Sequence, residues 1–123
     1  MYEADTIPKL VECGAALDPA LGAPGRKVLN YKALRALGER TARALRTMGI
    51  GVADRVAIVL PNGPEMASAF LTVASIATAA PLNPGYRESE FDFYLSDLNA
   101  KALLILAGMD SPARAVANAR GRH

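Results

Sequence analysis

The fold is decided by Asp54-Arg-Val-Ala-Ile-Val-Leu-Pro-Asn62. Residues 55–60 are a short, nearly continuous run of β-forming residues without polar alternation, which predicts a strand covered on both faces. Pro61 ends this run. Pro64 and Glu65 then suit a first helical turn, where proline sacrifices no hydrogen bond and a carboxylate favours the positive end of the helix dipole. The stretch therefore predicts a buried strand that leads directly into a helix.

Strands and helices continue to alternate on both sides of this stretch. Apolar residues recur at spacings of three and four from Tyr31 to Met48, and Gly49 is placed as a left-handed C-cap, which predicts a long amphipathic helix. The alternation predicts an α/β fold with a parallel βαβ sheet between flanking helices, in three layers, with the strand order left open. The other predicted elements are a helix from Pro64, a strand at 80–82, a helix at 88–98, a strand at 102–106 and a helix from Pro112 to about Arg120, with Ser111 as its cap.

The first thirty residues predict smaller elements. Residues 6–17 are expected to form a short helix with Pro8 in its first turn, where proline is tolerated. Pro24-Gly25 lies between short apolar pieces and predicts a small hairpin.

Composition indicates an ordinary globular protein. Of the 123 residues, 51% are hydrophobic and 21% are charged, and the net charge is +2. The basic residues are dispersed and not interleaved with aromatics, which argues against a nucleic-acid partner. Cys13 is the single cysteine and His123 the single histidine, so we expect no internal disulfide, zinc site or Ser-His or Cys-His nucleophile pair. This cysteine usage fits a reducing, cytoplasmic location, and no secretory signal is expected at the N-terminus.

Residues 66–84 carry no charge and need to be distinguished from a membrane span. A mildly polar stripe recurs along them every three or four residues, and the segment runs into Pro81. These features predict a buried helix followed by a short strand, and no membrane span. The polar stripe consists of Ser68, Thr72, Ser75 and Thr78. The expected packing face of the helix consists of Met66, Phe70, Val73 and Ala77.

Parallel sheets bind ligands in the loops that follow the carboxyl ends of their strands. In this sequence those loops are 61–65, 83–86 and 107–111. None has the glycine-rich pattern of a dinucleotide fold or of a phosphate loop, and Gly49-Ile50-Gly51 precedes a strand instead of following one. The loops therefore carry no recognisable nucleotide signature.

Individual polar residues in and after these loops have structural interpretations. We expect Asn62 to cap the following helix, and Tyr86 to be an exposed or half-buried loop residue. Glu88 and Glu90 fall in a first helical turn, where the helix dipole explains them without acid–base chemistry. We therefore assign no catalytic, cofactor-binding or metal-ligating residue in this chain.

An ordered set of motifs nevertheless resembles the opening part of the adenylate-forming acid–CoA ligases, the superfamily of acyl-CoA synthetases, 4-coumarate–CoA ligases and luciferases. The resemblance runs from Ile7 to Arg120 and is closest to the branch with oxalate–CoA and 4-coumarate–CoA ligases. Ile76 departs from it, because a glycine is frequent there. The motifs are Leu29-Asn-Tyr31, Asp54-Arg-Val-Ala57, Leu60-Pro-Asn62, Pro81-Leu-Asn-Pro84 and Glu90-Phe-Asp-Phe-Tyr-Leu-Ser-Asp-Leu98.

The resemblance implies an activity for the full-length family: a carboxylic acid reacts with ATP to give an acyl-adenylate and pyrophosphate, and the acyl group then passes to coenzyme A. ATP, magnesium and coenzyme A are the implied cofactors. The phosphate loop, the C-terminal domain and the family's catalytic residues have no counterpart here. Residues 1–123 are therefore expected to be a single partial domain, inactive by itself and binding none of these cofactors.

Two other interpretations remain open. A stand-alone module could hold a nucleotide or coenzyme A at the helix starts near Gly63 or Ser111. An interaction role is the other, because strands 56–60 and 103–106 need cover on both faces and a three-stranded sheet has open edges. Such a chain would associate with itself or with the missing remainder of an enzyme.

Overall fold

The computed structural model describes residues 4–122, so His123 and the first three residues, which belong to the N-terminus searched for a signal, lie outside the described part. The predicted α/β class is confirmed. The elements are α1 (Ile7–Glu12), β1 (Pro19–Leu21), β2 (Leu29–Asn30), α2 (Tyr31–Thr47), β3 (Arg55–Val59), α3 (Pro64–Ala74), β4 (Thr78–Pro81), α4 (Glu88–Asp97), β5 (Ala102–Ile105) and α5 (Pro112–Ala119).

The first helix is shorter than the predicted 6–17. Arg35 of α2 donates hydrogen bonds to the carbonyls of Val11 (3.1 Å) and Glu12 (2.9 Å). In a longer helix these carbonyls would accept hydrogen bonds from backbone N–H groups of the next turn. Gly14 then lies against the ring of Tyr31, where an added Cβ would come within 2.2 Å of the ring carbons. The chain therefore leaves α1 after Glu12, and the segment that follows packs against α2.

The predicted hairpin is confirmed as an antiparallel pair of β1 and β2. Its turn is closed by the Arg26 N–H, which donates to the Ala23 carbonyl at 3.1 Å, and Gly25 adopts a φ of 71° that favours glycine. Asn30 then starts α2, because its side-chain oxygen accepts the Ala33 N–H at 2.8 Å.

The three remaining strands form one parallel sheet in the order β4-β3-β5. Val56 of the central strand is in register with Ala79 on one side and Ala102 on the other. This arrangement explains the unbroken apolar run that the sequence shows: β3 has a strand on each side and a helical layer on each face, and residues 56–59 are fully buried.

Alternate residues of β3 divide the core into two clusters. Val56 and Ile58 pack with α2 and α3, and we call this side the α2/α3 face. Ala57 and Val59 pack with α4 and α5 on the other side, the α4/α5 face. The predicted three-layer arrangement is therefore confirmed.

The expected packing face of α3 is confirmed in part, because Val73 is fully buried and Met66 and Ala77 pack against the same core cluster. Phe70 is 38% exposed, whereas Ser68 and Thr72 are buried. Their hydroxyls donate to carbonyls within the same helix at 3.1 Å, which satisfies them without water, and Thr72 then meets Gly38 of α2 closely. In residues 4–122, no helix is both long and apolar enough to cross a membrane.

Candidate functional site

The sheet order places a crevice between the carboxyl ends of β3 and β5. The chain leaves β3 toward α3 on one face, and it leaves β5 toward α5 on the opposite face. In open α/β sheets such a point between neighbouring strands is where ligands bind. The loops expected from the sequence, 61–65, 83–86 and 107–111, all follow carboxyl ends of strands in the structure.

The loop after β3 is shaped by glycine and not by asparagine. Gly63 is the N-cap residue of α3, with a φ of 156° and no side-chain hydrogen bond, and Asn62 is exposed. The expectation that Asn62 caps the helix is therefore wrong, because the backbone turns one residue later in a conformation that favours glycine. Glu65 forms an ion pair with Arg26, whose hydrogen bond lowers the pKa of the Glu65 carboxyl.

In the loop after β4, the polar side chains form hydrogen bonds with the backbone of the loop itself and of the following helix start. The Asn83 side-chain oxygen accepts the Gly85 N–H at 2.8 Å, and Glu90 accepts the Arg87 N–H at 3.1 Å at the start of α4. Glu90 therefore acts as a helix cap in addition to its favourable place in the dipole. Tyr86 is half-buried, as expected.

Tyr86 belongs to a small aromatic group. Its ring lies edge-on to Phe91, with 5.8 Å between the centroids, and stacks on Tyr94 at 5.1 Å. The neighbouring Tyr94 side chain, followed by burial, raises the pKa of the Tyr86 hydroxyl. A phenol whose pKa is raised remains protonated at neutral pH, so this group stabilises the loop and is not a base.

The loop after β5 is closed in the same local way. The Ser111 hydroxyl accepts the Ala113 N–H at 3.2 Å and so caps α5, as the sequence predicted. Arg114 donates to the carbonyls of Leu106 (3.0 Å) and Met109 (3.3 Å). The Ala113 N–H, which an anion at this helix start would otherwise contact, is already paired with the Ser111 hydroxyl.

The groove nearest the crevice is apolar. It has a volume of about 250 Å³ and is lined by Leu60, Ala69, Leu104 and Leu106, with Glu65 as its charged group. In the part of the chain that the structure describes, no three His, Cys, Asp or Glu side chains come together as a metal site. None of the three carboxyl-end loops contains a lysine or arginine. These residues do not fit magnesium-bound ATP, which needs cationic groups and acidic metal ligands.

The opposite, amino-terminal edge of the sheet holds the Asp54-Arg55 motif. Asp54 accepts the Gly51 N–H at 2.8 Å and forms an ion pair with Lys101 at 3.0 Å, and these contacts, in that order, lower the pKa of its carboxyl. Arg55 donates to the Leu98 carbonyl at 3.3 Å. The motif therefore ties β3 to the start of β5, at the end of the strands where ligands do not bind.

Sequence reasoning missed these tertiary pairs. Arg26 and Glu65 are far apart in the sequence, as are Asp54 and Lys101, and no spacing rule connects them. Arg35 likewise gives no local signal that its guanidinium will bind the end of α1. A helix-surface arginine is ordinarily solvated, so only the tertiary arrangement identifies its role.

Together, the three-layer fold and the order of the motifs define an opening layer of the adenylate-forming type. The AMP-binding enzyme family matches residues 15–122, and the chain belongs to this family. An oxalate–CoA ligase of Arabidopsis thaliana is 40% identical over 121 residues, which cover 94% of this chain and 24% of that protein. A probable CoA ligase of Humulus lupulus is 38% identical over 91 residues, 73% of this chain and 17% of its own length.

Solved structures show the same fold. MatB from Rhodopseudomonas palustris matches with a TM-score of 0.75 at 24% identity, over 88% of this chain and 22% of that one. A Mycobacterium tuberculosis fatty acyl CoA synthetase matches with a TM-score of 0.62 at 33% identity, and the match covers 76% of this chain and 18% of that one. The chain thus spans about a quarter or less of the length of these relatives.

Proposed function

We propose that this chain is the opening structural layer of an ATP-dependent acid–CoA ligase and that it has no catalytic activity by itself. In the complete enzyme, a carboxylate would attack the α-phosphorus of ATP to give acyl-AMP and pyrophosphate. The thiol of coenzyme A would then displace AMP to give the acyl-CoA. Family membership supports the reaction class, and the share of each relative that the chain covers supports the partial role.

The observation that carries the proposal is the local use of polar groups at the carboxyl edge. Asn83, Glu90 and Ser111 each accept a backbone N–H of their own loop or helix start. Their oxygens therefore fix loop shape. Catalysis of adenylation requires the opposite, namely donors and cations directed at the site where phosphate charge develops.

The role of the layer is then to position other segments. The buried strand β3 and the helices on both faces give a rigid support, and the loops shaped by Gly63, Asn83 and Ser111 present a fixed surface at the carboxyl edge. Catalytic groups need such support, because a small displacement costs much of the rate. This layer thus contributes rigidity and shape to the complete enzyme, and not a reacting group.

The test is an assay of acid-dependent pyrophosphate release. The purified chain is incubated with ATP, magnesium and a panel of acids that includes oxalate and fatty acids, and a full-length acid–CoA ligase serves as the positive control. We expect no release above the acid-free background. Turnover that depends on the acid and follows the chain through purification would contradict the proposal.

A further inference from the structure

The loop after β3 contains the one asparagine of the sequence that is followed by a glycine, Asn62-Gly63. Both residues are exposed and lie in the turn between β3 and α3. Within residues 4–122, neither the Asn62 side chain nor the Gly63 N–H forms a hydrogen bond. The side-chain amide and the backbone nitrogen that follows it are therefore not held apart by other partners.

An asparagine in this situation has the atoms for an intramolecular reaction. The following backbone nitrogen, after losing its proton to a base, attacks the side-chain amide carbon. The bond from that carbon to the amide nitrogen breaks, and the nitrogen takes up a proton and leaves as ammonia. Water then opens the resulting cyclic imide at either carbonyl and gives aspartate or isoaspartate. The net change is the loss of ammonia and the gain of water, so no other reactant is needed.

The residue after Asn62 favours this attack. Gly63 has no Cβ, so its nitrogen can approach the side-chain carbon of Asn62 without a steric barrier from its own side chain. Gly63 is also the N-cap residue of α3, and its nitrogen precedes the hydrogen-bonded part of the helix. The nucleophile is thus not fixed by secondary structure.

The other four asparagines differ from Asn62 in the nitrogen that follows them. Asn83 precedes Pro84, whose nitrogen has no proton to lose. Asn30 precedes Tyr31, whose N–H donates to the Asp18 carbonyl at 3.1 Å at the start of α2. In both places the nitrogen is unable to react or is already paired.

The two remaining asparagines lie near α4 and in α5. The Asn99 side-chain oxygen accepts a hydrogen bond from Arg122 at 3.2 Å, and the next N–H, that of Ala100, donates to the Leu95 carbonyl at 3.2 Å. Asn118 lies inside α5, where the helix holds the nitrogen that follows it. The fold therefore protects these positions and leaves Asn62-Gly63 unprotected.

We propose that Asn62 is a site of spontaneous deamidation in the folded chain, through a cyclic imide formed with the Gly63 nitrogen. The reaction turns a neutral side chain of the carboxyl-edge loop into a carboxylate, and the isoaspartate product also adds one methylene to the backbone ahead of α3. The new charge lies at the positive end of the α3 dipole, in the same loop as Glu65. The surface at the crevice thus becomes more acidic as the protein ages. This inference goes beyond the proposed function and does not depend on it.

The test follows all five asparagines in one sample of the unaltered chain. The folded protein is incubated at neutral and at mildly alkaline pH, digested under acidic conditions, and examined by peptide mass spectrometry for the conversion of amide to acid. We expect Asn62 to convert roughly tenfold or more faster than any other asparagine, because it alone precedes a glycine. The rate should rise with pH, and an isoaspartyl-specific carboxyl methyltransferase should label the product.

The same measurement in denaturant separates a reaction of the folded chain from one that requires unfolding. We expect Asn62 to convert at comparable rates in the folded and the unfolded chain, whereas Asn99 and Asn118 should convert faster once the chain is unfolded. Conversion of Asn62 only after unfolding, or no conversion at all, would overturn the proposal. Equal rates at Asn62 and another asparagine of the folded chain would overturn it as well.

Two variants identify the source of the acidic form that ion-exchange chromatography separates. Asn62→Gln places the amide carbon one methylene further away, where ring closure is slower, and should abolish that form. Asn118→Gln makes the same change in α5 and should leave it unchanged. An acidic form that persists in Asn62→Gln, or that disappears in Asn118→Gln, would contradict the assignment to Asn62.

Discussion

The two faces of the sheet are filled to different extents. On the α4/α5 face, Phe91 and Leu95 are 0% and 1% exposed and pack against the small residues Ala113 and Ala117. On the α2/α3 face, the core around Val73 is equally well buried, but two grooves of about 320 and 250 Å³ remain along β5. The core of the α4/α5 face is thus closed, and the α2/α3 face is open beside the edge strand β5.

This difference separates what the chain needs to fold from what it offers to a partner. The closed face packs one large ring, Phe91, among small alanine side chains. The open face covers β3 and β4 but leaves β5 accessible from one side. An open face next to an open edge is the part of the fold where another segment can attach.

Phe91→Ala should have the largest effect, because it empties the centre of the closed face. We expect a loss of about 3–5 kcal/mol in the free energy of unfolding, the usual range for a buried aromatic. Urea denaturation monitored by circular dichroism measures it. The matched control is Phe93→Ala in the same helix, whose exposed ring should change the value by less than about 0.5 kcal/mol. Equal losses for both variants would contradict the assignment of faces.

Adding volume to each face should have opposite effects. Ala113→Leu overfills the closed face and should cost about 1–3 kcal/mol. Ala44→Leu extends into the groove beside β5 and should raise stability by about 0.5–2 kcal/mol, as cavity-filling changes commonly do. Thermal and urea unfolding of the two variants, side by side, measure the contrast. A stabilising Ala113→Leu would show that the α4/α5 face is not closed.

The open face also depends on where α2 begins. Asn30→Ala removes the oxygen that accepts the Ala33 N–H and should cost about 1 kcal/mol. Asn30→Thr keeps a capping oxygen and should recover most of that loss. Urea unfolding curves for both variants measure these losses. An Asn30→Thr variant as unstable as Asn30→Ala would contradict the capping role of the Asn30 side chain.

The smallest expected effect is a pH dependence at the amino edge. The pKa of Asp54 is lowered, first by the Gly51 N–H and then by Lys101. A carboxyl whose folded pKa lies below its unfolded value of about 3.9 stabilises the fold above that pH and loses the contribution as pH falls through the folded pKa. The stability difference between the original chain and Asp54→Asn should therefore shrink on acidification. A constant difference down to about pH 3 would contradict this assignment.

The fold was largely predictable, because its signals are local. The apolar run before Pro61, the C-cap at Gly49 and the Ser111-Pro112 helix start all act within a few residues, and the structure has each element there. The exposure of Phe70 and the burial of Thr72 in α3 were not predictable from hydrophobicity, since Thr72 satisfies its hydroxyl within the helix and packs against Gly38. Small polar residues of this kind are suited to close helix packing.

The site was less predictable for a related reason. Tyr86 and Glu90 lie in the loop and the first helical turn that the sequence predicts, whereas Asn62 was assigned the capping role that Gly63 performs through its backbone. Glycine signals a turn but not the residue at which the helix starts. The ion pair of Arg26 with Glu65 depends on how the hairpin lies against α3, which no local pattern contains.

The most direct test of the central claim, that this layer carries no nucleotide site, is a titration with ATP and magnesium monitored by two-dimensional NMR of the labelled chain. We expect no saturable shifts in the loops that contain Asn62, Asn83 and Ser111, even at millimolar ligand. Saturable shifts confined to those three loops would contradict the claim and would favour a stand-alone nucleotide-binding module.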